Sequence, residues 1–469
     1  MPKIRVYELA KQLNVNSKLI MAKLGELNEY VGSASSAVEP IIAEKLRQEF
    51  GVRLPSQVPS VSEKVTQFSG VKVGGSKVVQ LDGLSSEVHV DTVIKACRYA
   101  LRDNARSLIL DMSEASGFYP SAAVPVASVL EYSRSSGLAV SMQGASAVLD
   151  KMSVRNPIEA SQQNIAEYDA LSRVWVYFDH RQANYMTHAY VDIIRRRVVC
   201  QPGVLEALEW CLYEVLDNVM QHADSGQGFV MMQLHPQSHR LAFAVADAGR
   251  GVQRSLAMSD TYKPTTSFDA LTMAIKEGVT RDKAANQGNG LFGLFRIIEQ
   301  NNGKLNMRSG RGRMRLQGGR INGDNDAAVL SRHSPGTFLD VQMAVDRPVS
   351  MSEVFNYQHV NDFLESLESE ERGCHVVKIR EHAGGTGSRA AAKELRIFLE
   401  NVSVSGAALV ELDFSGQAVV SSSFADEVIG KLVASLGFTA FTQKYRLVNM
   451  NQTVAGLIDR AIVKRLSSS

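Results

Sequence analysis

The sequence predicts a multidomain α/β protein. Its 469 residues correspond to about three domains at about 150 residues each. Short apolar runs typical of buried strands alternate with helix-period patterns over most of the chain, which favours sheets covered by helices. Hydrophobic residues make up 45% and charged residues 21% of the chain, and this balance argues against a largely disordered or fibrous protein.

Charge and cysteine content limit the possible binding partners and the cellular compartment of the protein. The chain carries 51 basic and 49 acidic residues, a formal net charge of +2, so any nucleic-acid role needs a local basic patch. No apolar run approaches the roughly 20 residues of a membrane-spanning helix, and we expect no membrane association. The four cysteines form no CxxC pair, which favours buried thiols in a reducing cytoplasm.

A small helical domain is predicted for residues 1–53. An extended segment at 4–6 precedes helices at about 7–13, 17–27 and 38–50, and Ser17 can cap the second helix. Residues 54–70 contain two prolines, several serines and no periodicity, which predicts a linker.

Three α/β segments are predicted for the rest of the chain. Residues 71–150 hold strand patterns at 77–81, 107–112 and 138–142 and helix patterns at about 90–102 and 121–135. Residues 146–170 are polar and irregular, which predicts a connection. Residues 171–348 hold strand patterns at 174–178, 228–234 and 241–246, a long helix at 204–223, and a glycine-rich loop opening a helix that ends near residue 300. Residues 353–469 hold strand patterns at 375–379, 408–414 and 445–449 and helix patterns at 388–400, 423–436 and 453–466.

The long helix carries the first candidate site residues. Glu214, Asn218 and His222 are spaced four apart, so they share one face beside an apolar stripe. A glutamate there can activate an attacking hydroxyl, and an asparagine oxygen can coordinate Mg²⁺. The alternative is a solvated helix face, and a lone histidine such as His222 is more often structural than catalytic.

A second motif follows the apolar strand at 241–246. Asp247 stands at the strand end and can accept a hydrogen bond from an amino group such as that of adenine. Gly249 and Gly251 let the backbone turn sharply and approach a flat ring. An ordinary strand-ending turn is the alternative.

The third motif is the glycine-rich loop with Gly288, Gly290 and Gly293. Glycines at a helix N-terminus expose free N–H groups to phosphate. The dinucleotide-binding form of this motif needs a strand directly before it and an acid about 20 residues later, and both are missing here. A polar stretch with Arg281 and Lys283 precedes it instead, which favours a mobile phosphate-binding lid.

The order of the motifs resembles the GHKL family, the ATP-binding fold of gyrase-type, chaperone-type, sensor-kinase and anti-sigma-kinase ATPases. The resemblance covers residues 171–348, includes Gly336 and Thr337 before a last strand, and implies an α/β sandwich that binds ATP and Mg²⁺. The resemblance implies that Glu214 activates a hydroxyl or water and that Asn218 is a ligand of Mg²⁺. It implies that adenine is bound by Asp247 together with Gly249, Gly251 and Thr337. It implies that phosphate is bound by Arg281, Lys283, Gly288, Gly290 and Gly293. Sensor histidine kinases carry their phosphoacceptor on a long helical hairpin, and the pattern around His180 and His188 predicts none, which disfavours that class.

The two flanking segments resemble STAS domains. In residues 71–150 a strand is followed by Phe118 to Ala123 opening a helix, and Ser121 falls on the family's phosphoacceptor serine, although Pro120 replaces the usual aspartate. In residues 353–469 a strand ends in a serine-rich loop, where Ser422 is the second candidate phosphoacceptor. The alternative at both positions is a serine that only caps a helix.

Residues 1–53 resemble the small N-terminal domain of bacterial translation initiation factor two, but the chain contains no GxxxxGK[ST] motif for a GTPase. Docking on RNA, a ribosome or a protein through residues 1–50 is therefore a hypothesis. A second basic feature is the run from Lys304 to Arg320, with a hairpin tip at Gly310 and Gly312. It predicts either a solvated hairpin or contact with an acidic partner or nucleic acid.

Together these patterns predict a cytoplasmic ATP-binding regulator. Its enzymatic form would be a serine/threonine kinase or ATP switch of the anti-sigma type, acting on STAS-like modules of its own or of a protein partner. Two alternatives remain: an ATP-gated scaffold without phosphotransfer, and a nucleic-acid- or ribosome-associated factor in translation or defence. A homodimer is left open.

Overall fold

A computed structural model describes residues 77–144, 146–259, 261–279, 290–355 and 362–467, with a few positions before residue 77. The chain divides into two compact units, Met1–Ser69 and Gly70–Ser469. Among the described residues, no helix combines the length and apolar character that crossing a membrane requires. All four cysteines are buried free thiols, as their spacing predicts.

The first unit contains a short antiparallel strand pair, β1 (Ile4–Arg5) with β2 (Ala37–Val38). The extended segment predicted at residue 4 is therefore confirmed. Val38, predicted to begin a helix, instead lies in β2 opposite Ile4 and is 3% exposed, because a β-branched side chain fits a paired, buried strand. The helices predicted over 7–27 lie largely outside the described residues.

The amino-proximal layer, residues 77–151, is a parallel sheet with helices. Its elements are β3 (Lys77–Gln80), α1 (Glu87–Arg102), β4 (Ser107–Asp111), α2 (Pro120–Ser135), β5 (Ala139–Gln143) and α3 (Ser146–Lys151). The described strands pair in the order β3-β4-β5, both pairs parallel, because α1 and α2 are the crossovers that parallel neighbours need. The predicted alternation of strand and helix is confirmed here.

The central layer, residues 158–355, is built on one large sheet. Its strands are β6 (Ile158–Glu159), β7 (Trp175–Tyr177), β8 (Gly228–His235), β9 (Arg240–Asp247), β10 (Lys304–Ser309), β11 (Gly312–Gln317), β12 (Arg320–Asp324) and β13 (Thr337–Ala344). These eight described strands lie in the order β12-β11-β10-β13-β9-β8-β7-β6. The β6–β7 pair is parallel and the other described pairs are antiparallel.

The helices of the central layer are α4 (Gln162–Glu167), α5 (His180–Arg197), α6 (Val204–Asn218), α7 (Gly251–Ala257), α8 (Ser267–Ala274), α9 (Gly290–Gln300) and α10 (Met351–Phe355). The prediction of an irregular connection at 146–170 is wrong, because α3, β6 and α4 lie there. These elements are too short for periodicity to identify them, and β6 is stabilised by its pairing with β7, Ile158 opposite Trp175.

Both faces of the central sheet are buried. Along β8, Val230 and Met232 point into a core shared with α5, α6 and α9. The alternate residues Phe229 and Met231 point into a second core shared with α1 and α2. We call the first the front face and the second the back face. The uninterrupted apolar run of this strand follows from burial on both sides.

The carboxy-terminal layer, residues 362–467, is a second small α/β sheet. Its elements are α11 (Asp362–Leu367), β14 (Glu368–Ser369), β15 (Cys374–Lys378), α12 (Ile379–His382), α13 (Arg389–Val404), β16 (Val410–Asp413), α14 (Ser422–Ala425), a π-helical turn (Asp426–Gly430), α15 (Lys431–Leu436), α16 (Phe438–Lys444), β17 (Tyr445–Val448) and α17 (Gln452–Leu466). The described strands lie in the order β14-β15-β16-β17, with the last two pairs parallel.

One buried asparagine joins the carboxy-terminal layer to α5. The Asn401 side chain, 1% exposed, donates to the carbonyl oxygens of Arg195 and Val198 at 2.8 and 2.9 Å. Its oxygen accepts the backbone N–H of Cys200 at 2.8 Å. These bonds satisfy backbone groups at the end of α5 that the helix itself cannot pair.

Candidate functional site

A large cavity lies on the front face, between α6, α7, α9 and the ends of β9 and β13. Its volume is about 720 Å³. Glu214, Asn218, Asp247, Gly251, Gly290 and Thr337 are all among the described residues that line it. Residues up to 123 positions apart in the sequence therefore meet in one concave site, as their predicted common role requires.

The helix that carries Glu214 and Asn218 changes form directly after Asn218. It is predicted as one helix to residue 223, but α6 ends at Asn218 and a π-helical turn, Val219–Ala223, follows. The wider turn ends with Asp224 at a φ of 59°, and the Ala223 carbonyl accepts the backbone N–H of Arg250 at 2.8 Å. Single π turns inside helices are frequent at functional sites.

Glu214 and Asn218 present polar groups to the cavity. Burial raises the pKa of the half-buried Glu214 carboxyl, and the negative charge of Asp217 raises it further. The buried Nδ2 of Asn218 has no hydrogen-bond partner among the described residues. A half turn of a carboxamide exchanges its oxygen and nitrogen, so this position can offer either a donor or an oxygen ligand.

Gly290 lets the start of α9 approach these two side chains. A Cβ at this position would lie 2.2 Å from Glu214 Oε2 and 3.7 Å from Asn218 Nδ2. Any other residue would therefore displace the Glu214 carboxylate or the start of the helix. The free N–H groups at the first turn of α9 consequently lie near the carboxylate and amide of α6.

Asp247 lies at the end of β9, opposite Thr337 of β13 in the antiparallel register. The side chain is 3% exposed and its Oδ1 accepts the backbone N–H of Gly249 at 2.7 Å. Burial raises the pKa of this carboxyl from 3.8 to about 7, although hydrogen bonds from Gly249 and Thr337 act in the opposite direction. Near neutral pH the carboxyl is therefore poised between its acid and base forms.

The two glycines after Asp247 have different tasks. A Cβ on Gly249 would lie 2.0 Å from the carbonyl oxygen of Ala223, so Gly249 lets the loop pack on the π-helical turn and does not itself line the cavity. Gly251 lines the cavity and has a φ of 74°, a conformation that glycine adopts without strain. The hydroxyl of Ser309 accepts the next backbone N–H, that of Val252, at 2.8 Å.

Four residues of the predicted phosphate-binding loop are not among the described residues that line the cavity. Arg281, Lys283 and Gly288 lie outside the described residues. Gly293 is buried one turn into α9, where a Cβ would lie 2.3 Å from the Trp210 ring and 2.7 Å from the Phe355 ring. Gly293 therefore lets α9 pack closely against Trp210 and Phe355, and it is not among the residues that line the cavity.

Sequence reasoning missed one wall of the cavity. Trp210, Glu353 and Phe355 line it, with the rings of Trp210 and Phe355 4.7 Å apart. Trp210 stands four residues before Glu214 on the same helix face, so helical spacing could have identified it. Glu353 and Phe355 come from α10, beyond the predicted end of the domain at residue 348, and no local pattern indicates their approach.

Sequence reasoning also missed α5. Its 18 residues contain both His180 and His188, in a helix that the sequence analysis does not predict. Nδ1 of His180 lies 2.5 Å from Oδ1 of Asp217 at the cavity rim, whereas Nε2 of His188 lies 2.9 Å from the Tyr213 hydroxyl. Buried residues at 183, 186, 190 and 194 show the helical spacing that could have revealed α5.

Ser121 lies on the opposite side of the sheet from the large cavity. It lines a small back-face cavity of about 40 Å³ with Asn306 and the buried Asp340. Burial raises the pKa of the Asp340 carboxyl to about 6. The N-cap of α2 is Tyr119, so the interpretation of Ser121 as a helix cap is wrong.

Ser422 is exposed and begins α14. The helix is capped by its neighbour Ser421, whose hydroxyl accepts the backbone N–H of Phe424 at 3.0 Å. The expected capping role therefore belongs to Ser421, and the Ser422 side chain remains accessible from solvent.

The basic run at 304–320 forms the predicted hairpin of β10 and β11. Its arginines bind acids of α1: Arg308 lies 2.7 Å from Asp91, Arg313 also pairs with Asp91, and Arg315 pairs with Glu87. The expectation of a solvated hairpin is wrong for these arginines. The acidic partner is the chain's own amino-proximal layer.

Two segments of the chain match known protein families. Residues 1–53 match the N-terminal region of translation initiation factor IF-2. Residues 391–455 match a STAS-like domain of unknown function (DUF4325), which confirms that the carboxy-terminal layer is STAS-like. No GHKL family model matches the chain.

Proposed function

We propose that the front-face cavity binds Mg-ATP, that residues 171–348 form a GHKL-type domain, and that the protein is an ATP-dependent cytoplasmic regulator. The observation that carries this proposal is the convergence of Glu214, Asn218, Asp247 and Gly290 around one cavity of about 720 Å³. Small-molecule sites have volumes of this order. The order helix, strand end, glycine-opened helix is also the order that the resemblance requires.

Asp247 is the proposed acceptor for the adenine amino group. Only the ionised carboxylate accepts at both oxygens, and the amino group of adenine is a donor. Nucleotide binding would therefore favour the charged form that burial disfavours in the free protein. Thr337, whose backbone and hydroxyl already bond Asp247, would hold the carboxylate in position.

Asn218 is the proposed protein ligand for Mg²⁺. Among the described residues, no group of three or more His, Cys, Asp or Glu side chains could hold a metal ion. Mg²⁺ suits such a site because it takes one or two protein oxygens and completes its shell with phosphates and water. The buried amide end of Asn218 without a described hydrogen-bond partner fits this role. The ion would neutralise phosphate charge during transfer.

Glu214 is the proposed general base. Its raised pKa makes the carboxylate a better proton acceptor near neutral pH. It would take the proton from an attacking serine, threonine or water hydroxyl. Its position against the start of α9 places it where the terminal phosphate of the nucleotide would lie if the N–H groups of that turn bind phosphate.

Of the two candidate phosphoacceptors, Ser422 is the better placed target for a kinase. Ser121 packs against the back face, with the sheet between it and the cavity. Ser422 is exposed in the STAS-like layer. A kinase would therefore act on Ser422 or on a serine or threonine of a partner, and Ser121 would not be its target in this arrangement.

The second candidate is an ATP-gated scaffold without phosphotransfer. The observation that favours it is the pairing of Arg308, Arg313 and Arg315 with α1, which ties the amino-proximal layer to the sheet that carries the cavity. Nucleotide binding that shifts these strands would shift that layer as well.

Labelled Mg-ATP separates the two candidates. A kinase that acts on Ser422 predicts acid-stable phosphate on the protein that is lost in Asn218→Ala and Ser422→Ala and retained in the matched serine variant Ser121→Ala. The scaffold predicts nucleotide binding without label, together with a scattering profile that changes when nucleotide is added. Absence of nucleotide binding to the full chain, with Asn218→Ala behaving as the unaltered protein, would refute the ATP site.

A contact with RNA or the ribosome is proposed for residues 1–53 alone. The match to the IF-2 N-terminal region supports it. Recovery of ribosomal RNA with the full chain should be lost when residues 1–60 are removed. Equal recovery with and without that segment would contradict the proposal.

A further inference from the structure

A second groove runs along the seam between the central and carboxy-terminal layers. Its volume is about 510 Å³ and all of its lining residues are described. Leu171, Leu234 and Ile397 contribute apolar side chains, and Leu171 and Ile397 are 7% and 6% exposed. The remaining lining is mostly charged, and it comes from both layers.

Positive charge dominates this lining. Lys151, Arg173, Arg196 and Arg197 come from the amino-proximal and central layers, and Lys393 comes from α13 across the seam. The carboxylates of the lining are Asp169 and Glu394. Cations from two packed layers therefore line one concave surface, and their combined positive potential attracts an anion.

Two of the arginines are already neutralised. Arg197 donates to Asp169 at 3.0 Å, and the other oxygen of Asp169 accepts the backbone N–H of Leu171. Arg196 donates from Nε to both oxygens of Asp192, at 3.1 and 2.9 Å. The carboxylate of Asp169 is therefore paired with Arg197, and its second oxygen is held by the backbone.

Three cations of the groove have no carboxylate partner among the residues that the structure describes. Arg173 donates to the Lys151 carbonyl at 2.8 Å and stacks on a tyrosine ring. Within the described part of the chain, no carboxylate forms an ion pair with Arg173, Lys151 or Lys393. A single carboxylate of the lining, Glu394, is left to face all three.

We propose that this groove binds a small anion with two or more phosphate groups, such as a diphosphate or triphosphate ester. The three unpaired cations match a di- or triphosphate in charge. The apolar floor would take the organic part of the ester. Because Lys393 lies on the STAS-like layer and Lys151 and Arg173 do not, the bound anion would also strengthen the contact between the layers.

Calorimetric titration of the full chain with inorganic tripolyphosphate tests this proposal. EDTA in the buffer removes Mg²⁺, which keeps the proposed nucleotide cavity out of the measurement. We expect binding that weakens as salt is added and that becomes weaker by about tenfold or more in Lys151→Glu/Lys393→Glu, since two attractive charges become repulsive. The neutral pair Lys151→Gln/Lys393→Gln should give a smaller loss.

The control pair Lys95→Glu/Arg106→Glu makes the same charge change at exposed positions of the amino-proximal layer. It should leave the affinity within about twofold, because those side chains lie outside the groove. Asn218→Ala should leave it unchanged, so failure of the ATP site and failure of the groove give different results. Equal affinity in the groove variant and the control variant would overturn the proposal. Binding of single-stranded RNA without binding of tripolyphosphate would overturn it as well, because the groove would then read a polymer.

Discussion

Replacing the buried carboxyl in Asp247→Asn should make the nucleotide-free protein more stable at pH 8. In the folded chain burial raises the pKa of Asp247 from 3.8 to about 7. The folded state therefore holds this proton more tightly than the unfolded state does. The stability that the proton contributes is complete below pH 3.8 and is lost as the pH rises to about 7.

The size of the effect follows from the shift. A rise of about three pKa units corresponds to about 4 kcal/mol at about 1.4 kcal/mol per unit. The asparagine avoids this cost because it carries no charge. Its amide nitrogen introduces a donor that needs a partner in a buried site, and an unpaired donor costs about 1–3 kcal/mol. The net gain in free energy of unfolding at pH 8 is therefore expected at about 1–3 kcal/mol.

Urea denaturation followed by tryptophan fluorescence measures this change. The chain has two tryptophans, Trp175 and Trp210, and both lie in the central layer, so the signal reports the layer that holds Asp247. The difference in unfolding free energy between Asp247→Asn and the unaltered protein should grow between pH 4 and pH 7 and then level off. A constant difference across this range, or a variant less stable at pH 8, would refute the reasoning.

Three further substitutions, one of them with a matched control, test the site and the contacts that support it. Glu214→Gln should keep nucleotide binding and slow phosphate release or transfer by about 10²–10⁴-fold in a labelled-ATP assay; an unchanged rate would remove Glu214 from the chemistry. Gly249→Ala should lower the free energy of unfolding, measured with urea, by about 1–3 kcal/mol, because its Cβ would lie 2.0 Å from a backbone oxygen. The control Gly456→Ala, in open space on α17, should raise it by about 0.5–1 kcal/mol. Asp91→Asn should cost about 3 kcal/mol by the same measurement, because Arg308 would remain buried with its ion pair weakened; a neutral result would show that the pair does not hold the two layers together.

The elements that the sequence predicts well are those whose own pattern matches their burial. The helix with Glu214 has an apolar stripe on one side, and the strand before Asp247 is a continuous apolar run that both cores bury. The helix α5 was not predicted, although its buried positions repeat at helical spacing, because its polar and basic residues obscure the stripe. The two-residue strand β6 has no readable period and depends on its partner strand.

Some residues of the candidate site are likewise predictable from a local sequence pattern, and others are not. Helical spacing predicts that Glu214 and Asn218 share one face, and the strand end predicts a binding role for Asp247. In the structure all three residues line one cavity. Phe355 could not be predicted there, because its approach depends on how the chain returns after the last strand of the sheet. The pairing of Arg308 with Asp91 likewise joins positions 217 apart in the sequence, and no local pattern encodes a contact of that range.

Because both faces of the central sheet are buried, the strands that line the cavity also contact the amino-proximal layer on the back face. On β10, Met307 lines the front-face cavity while the next residue, Arg308, holds Asp91 of α1 behind the sheet. On β13, Leu339 lines the cavity while Asp340 faces the small back-face cavity. One peptide unit thus separates residues that line the proposed nucleotide cavity from residues that contact the amino-proximal layer. A strand shift of a fraction of an ångström at the cavity would act on a buried ion pair, and closely packed interfaces respond to such shifts by repacking. An ATP-dependent signal is therefore expected to appear first in the ion pairs of α1, before any change in the exposed serine loop of the carboxy-terminal layer.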